Sequence, residues 1–164
     1  MLVIRLAKLL MVGALAAFAF LVTYDNIVDY GANYQFVQHV LSMDTTFPDN
    51  ALKDRAITNP QLWKAAYGII IAAEGVAALL LTVGAVALLI RLRATAQAFN
   101  HAKAWAVAGL TVGFGVWFFG FSVVAGEYFT MWQSHAWNAQ ESAFRIAMVM
   151  LGVLIFLTLP DRDT

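Results

Sequence analysis

The chain has no cysteine. That excludes disulfides, thiolate nucleophiles and every cysteine-held zinc or iron–sulfur centre. Charge is nearly as scarce. Asp, Glu, Lys and Arg make up 12% of the residues, where a soluble domain carries about 25%. The 10 basic and 10 acidic residues cancel. No basic patch interleaved with aromatic residues appears, which argues against a nucleic-acid partner. Catalytic signatures are missing too: no glycine-rich phosphate loop, no nucleophile elbow and no paired histidines of the H-E-x-x-H kind. Ser134, His135 and Glu127 are close in sequence, but adjacency in a loop is not a triad.

What the chain does have is hydrophobic length. Apolar residues reach 62%, and the mean hydropathy is +0.73. Runs of about 18 or more apolar residues read as membrane spans, and the pattern predicts spans at about residues 6–25, 62–91, 103–127 and 139–159. The first run resembles a signal peptide, with Arg5 and Lys8 ahead of an apolar core. It continues past its alanines to Tyr24, so a first spanning helix fits better. The expected fold is all-α: a polytopic four-helix membrane bundle, residues 1–164 forming one integral membrane domain.

Basic residues orient the bundle. The start carries Arg5 and Lys8, and the segment between spans two and three carries Arg91, Arg93, His101 and Lys103, all without an acid. The other two connections are mixed or acidic. Both termini are therefore expected in the cytoplasm, with a helical cap on the outer, periplasmic face at about residues 26–61. Within that cap, "YGANYQFVQHVL" places Tyr30, Tyr34, Val37 and Leu41 on one amphipathic helical face. "TTFPDN" predicts a turn, and "ALKDRAI" a short helix capped by Asn50. Asn59 before Pro60 reads as an N-cap followed by proline at the first helical position. The last span is short unless it begins near Ala139, where Asn138 and Glu141 form a capping-box pattern. The tail "PDRDT" carries no signal. Gly13 with Ala17, Gly68 with Ala72, and Gly109 with Gly113 are small pairs suited to close helix packing inside the bundle.

Ionisable groups at membrane depth are costly and mark candidate sites. At about 1.5 Å per residue from the cytoplasmic ends, Asp25 and Glu74 rise roughly 24 Å and Arg145 roughly 21 Å. The expectation is a charge cluster of Glu74 with Arg145, joined by Asp25, as a structural ion pair or as part of a proton path. Glu127, at about 34 Å, belongs at the outer surface. Trp132, Trp137, Tyr128 and Phe129 suit an aromatic belt there. Glu127, His135 and His39 are the candidate metal ligands, yet no tight spacing joins them, so neither metal nor other cofactor is expected.

"DYGANYQFVQHVLSMDTTFPDN" and "GEYFTMWQSHAWNAQESAFR" together resemble the outer segments of a bacterial family of predicted small integral membrane proteins of unknown function. The resemblance runs over essentially the whole chain. It implies four spanning helices in a bacterial inner membrane and supplies no catalytic residue. The functional expectation is a non-catalytic accessory or scaffolding subunit of a larger membrane complex, respiratory or otherwise energy-transducing, in contact with lipids and other subunits. One alternative is a small transporter, channel or proton conductor using Glu74, Arg145 and Asp25. Another is an outer-side quinone, lipid or small-ligand binding protein built on Glu127, His135 and Trp132.

Overall fold

Each long apolar run satisfies its own backbone as a helix, the only open-chain solution inside a membrane. The computed structural model describes residues 2–163. Helix α1 spans Leu2–Val28, α2 Tyr30–Ser42, α3 Pro60–Ile90, α4 Ala96–Ala102, α5 Ala104–Phe114 and α6 Gln140–Thr158. A π-helix, Gly115–Tyr128, prolongs α5 without a break. Among the described residues there is no strand. Four helical stretches are long and apolar enough to cross a membrane: α1, α3, α4 through the π-helix, and α6. They form a four-helix bundle in which α1 packs on α3, α3 on α5, and α5 with the π-helix on α6, while α6 closes on α1.

Inward faces follow the helical repeat. On α1 the buried residues Lys8, Val12, Leu15, Ala19 and Asn26 recur at spacings that return to one side. On α3 the stripe is Tyr67, Glu74, Ala77, Ala78, Leu81, Gly84 and Leu88. On α6 it is Ala143, Ala147, Met150 and Leu157. Lipid offers no hydrophobic drive between helices, so close packing must hold them. Gly84 permits a close backbone approach: a Cβ there would lie 2.6 Å from the Ala106 backbone nitrogen. Gly109 and Gly113 serve the same purpose against Leu81 and Met150. Gly13 and Gly68 do not. A Cβ on either meets nothing within 4 Å, and Ala17 and Ala72 are exposed, so those two pairs lie off the internal contacts.

Asn59 caps α3 as its sequence implies, its side chain accepting from the Gln61 N–H at 2.9 Å with Pro60 following. Helix α2 buries Val37 and Val40 and closes one end of the bundle, hereafter the cap end. "ALKDRAI" holds only a 3₁₀ turn, Lys53–Arg55. At the start of α6, Asn138 accepts from the Gln140 N–H at 3.0 Å. Glu141 does not complete a capping box. It turns outward to Arg145 instead. The opposite end, hereafter the tail end, contains α4, a helix where the sequence promised only a connection.

The π-helix departs from the expected ordinary helix. Helices of this type rarely exceed one turn and cluster at functional sites. Its ladder ends at a bond from the Phe129 N–H to the Val124 carbonyl, 3.0 Å long and five residues back. Gly115 and Gly120, also five apart, border an apolar groove of about 470 Å³.

Candidate functional site

Glu74 is the one carboxyl in the middle of α3, and it is 2% exposed. Its partner is Asn26, whose Nδ2 donates to Glu74 Oε2 at 2.7 Å. Asn26 Oδ1 in turn accepts from Asn33 Nδ2, on the cap helix, and from the Tyr67 hydroxyl at 3.2 Å. The same hydroxyl lies 3.2 Å from the Asn26 carbonyl. Tyr67 packs under Tyr30 with ring centroids 4.6 Å apart. Three helices thus meet in a polar knot under α2. Beside it lies a cavity of about 310 Å³, walled by Glu74, Asn26, Tyr67, Phe18, Trp117 and Phe121 among others.

The expected ion pair does not form. Arg145 is exposed, with Glu141 Oε1 at 3.4 Å from its Nη1. Its direction explains this. Arg145 is two residues from both Ala143 and Ala147 on the inward stripe, about 200° around the helix. Asp25 fails by the same geometry. It is exposed, whereas its neighbour Asn26, about 100° away, faces inward. Asn26 could have been found by extending the α1 stripe, since it lies 18 residues, or about five turns, beyond Lys8.

The residues expected on the outer surface separate as well. Glu127, His135 and Trp132 are exposed. His39 Nδ1 lies 2.9 Å from Asp44 Oδ2, and its ring stacks on Trp137 at 4.6 Å. Trp132 stands edge-on to Phe47, 5.9 Å away. Among the described residues, no three His, Asp or Glu side chains gather closely enough to share a metal ion. The two connecting segments are instead stitched together. Thr45 donates to Ser134 at 2.9 Å, the Phe47 N–H to Gln133 at 3.1 Å and Asn50 to Thr130 at 2.8 Å. Met43 and Thr130, both buried, adopt left-handed backbone with φ of 52° and 50°. For a β-branched threonine that is a strained geometry held by its surroundings.

A second polar cluster, unsuspected from the sequence, closes the tail end. Asp161 Oδ2 accepts from Lys8 Nζ at 2.7 Å and lies 2.6 Å from Lys103 Nζ. Both ammoniums also donate to the Leu159 carbonyl, at 2.6 and 2.8 Å. Asn100 and Asp161 exchange backbone and side-chain hydrogen bonds. Arg5 donates to the carbonyls of Leu92 and Ala94. Asp163 accepts from the Ala96 N–H at 2.6 Å and so caps α4. Burial alone would raise the Asp161 pKa; hydrogen bonds from Lys103 and Lys8 outweigh it and hold the carboxyl below its usual range. The tail that looked silent is the lock of this end.

The family described as "Predicted small integral membrane protein (DUF2165)" matches residues 4–160. The chain belongs to this family. No curated protein matches it, and no solved structure does. Membership adds no reaction, so the chemistry of this DUF2165 member rests on its two polar clusters. Between them the core is dry: Val12, Ala19, Ala77, Leu81, Leu88, Ala106, Leu110 and Met150 are all 0% exposed. On α1 the clusters stand about 27 Å apart, close to the thickness of a hydrocarbon core.

Proposed function

We propose that the chain is a non-catalytic, single-domain bacterial inner-membrane protein serving as an accessory or scaffolding subunit of a larger membrane complex. The observation that carries this reading is the closed apolar middle between two hydrogen-bonded polar clusters. A proton or ion conductor needs polar groups at intervals across the membrane, and no such series links Glu74 to Asp161. Hydrogen bonds at both ends tie the helices together, which suits a rigid docking body. Purification of a tagged chain in mild detergent, followed by mass spectrometry, tests it. The expected result is a reproducible set of membrane subunits. A lone, monodisperse chain would refute the reading, and so would liposome proton flux abolished by Glu74→Gln.

Orientation follows from charge. The tail end gathers Arg5, Lys8, Arg91, Arg93, Lys103 and Arg162, while acids predominate among the cap-end charges. That distribution supports cytoplasmic termini and a periplasmic cap. The cysteine-free sequence is a ready background for the test. A membrane-impermeant thiol reagent should label His135→Cys and spare Gln97→Cys in intact cells. The reverse pattern would invert the topology.

A further inference from the structure

We propose that the Glu74 cavity and the groove beside it bind a lipid-soluble ligand with an uncharged hydroxyl- or carbonyl-bearing ring and an apolar tail, of the benzoquinol–benzoquinone class. The proposal goes beyond the accessory-subunit reading and stands apart from it. A chain that finds partners can still have this site empty, and a lone chain can fill it.

Glu74 supplies the first argument. Asn26 engages one carboxyl oxygen, Oε2. Oε1 has no protein hydrogen-bond partner, yet among the described residues no fully buried side-chain oxygen or nitrogen is left unpaired. Oε1 is therefore reachable, and Glu74 lines the 310 Å³ cavity. At the same wall Asn26 Oδ1 already takes bonds from Asn33 and Tyr67, and Asn33 itself is exposed. The site thus offers the Glu74 oxygen as its buried open hydrogen-bonding position, in an aromatic slot made by Phe18, Trp117, Phe121 and Tyr67. Flat rings pack well against such walls.

The apolar groove supplies the second. Phe36, Val37, Ile70 and Phe121 border both spaces, and the Phe36 and Phe121 rings, stacked 5.9 Å apart, stand between them. The groove runs along α3 and the π-helix beneath α2, where the missing side chains of Gly115 and Gly120 leave room. Each space lies within the range of about 300–1,000 Å³ usual for small-molecule sites. A ring in the cavity and a tail in the groove would use both.

Charge narrows the head group. No Lys, Arg or His lines either space, so a phosphate-bearing lipid head has no counter-charge there. An ammonium carries three donors, more than the Glu74 oxygen and the Asn33 amide oxygen can meet. A ring hydroxyl donates to the Glu74 oxygen, and a ring carbonyl accepts from it when that oxygen carries a proton, so either form needs one partner.

The test measures binding of a decyl-substituted benzoquinone and of its quinol to the detergent-purified chain, by quenching of tryptophan fluorescence. Wild type is expected to bind both saturably. In Glu74→Gln the Asn26 amide holds the new carbonyl, which turns the NH₂ to the cavity. That group donates and cannot accept. Quinol affinity should fall about tenfold while quinone affinity is kept. Gly120→Leu should weaken both forms about tenfold or more by filling the groove. A Cβ at Gly120 approaches only a backbone oxygen at 4.0 Å, so the variant should fold, and Gly115→Leu repeats the test if it does not. Absence of saturable binding in wild type overturns the proposal. So does an unchanged quinol-to-quinone ratio in Glu74→Gln, or tighter Glu74-dependent binding of dodecylamine than of the quinol.

Discussion

Asp161→Asn keeps the shape of the tail-end lock and removes its negative charge. The Lys8 and Lys103 side chains are 1% and 6% exposed, so their ammoniums would face each other with the Leu159 carbonyl, Asn100 and the Phe156 and Phe99 rings but no anion. Removing one partner of a buried ion pair costs about 3–5 kcal/mol, because the charge left behind stays desolvated. At about 2–4 °C per kcal/mol for a chain of this size, the apparent Tm should fall by about 10 °C. Thermal unfolding in mild detergent, followed by size-exclusion recovery, reads this directly. Adding Lys103→Met to Asp161→Asn should restore part of the loss, since it deletes one stranded charge. A single-variant drop under about 2 °C, or strictly additive effects in the double variant, would refute the reasoning. The pH dependence has a fixed sign. Asp161 is held below its usual value of 3.8, so its contribution is complete above about pH 4 and disappears as pH falls through the folded value. Acid destabilisation over that window should be shallower in Asp161→Asn.

Neighbouring residues should behave unlike one another at the cap end. Asn26→Leu strips Glu74 of its partner and should cost about 1–3 kcal/mol, the Tyr67 hydroxyl keeping the backbone carbonyl at position 26, whereas Asp25→Ala should stay within about 0.5 kcal/mol; thermal recovery of the two variants measures the contrast. Arg145→Gln should leave the apparent Tm unchanged, because its only ion pair is solvent-facing. Gly84→Val should prevent assembly, since the new Cβ falls 2.6 Å from the Ala106 backbone, and loss of the monodisperse peak would report it.

Hydropathy made the four spans legible, because an apolar run of spanning length has few other uses. The cap helix was legible from the spacing of Val37 and its neighbours, and α3's start from Asn59 and Pro60. The pairing of Glu74 was not. Height along a helix follows from counting, but facing requires the stripe on every helix at once, and Arg145 was placed by height alone. The π-helix was hidden because its residues, Gly115 to Tyr128, are as apolar as any ordinary span. The tail-end lock was hidden for another reason. Asp161 and Lys8 are separated by 153 residues, and no local pattern connects them.

That separation also sets an order of events during synthesis. At roughly 5–20 residues per second, the carboxylate that Lys8 needs emerges roughly 8–30 s after the lysine itself. Lys103 arrives earlier than Asp161 as well. Until Asp161 follows α6 out of the ribosome, two cations wait at the edge of an unclosed bundle. A chain interrupted before Asp161 would hold all four spans and still carry both charges unneutralised.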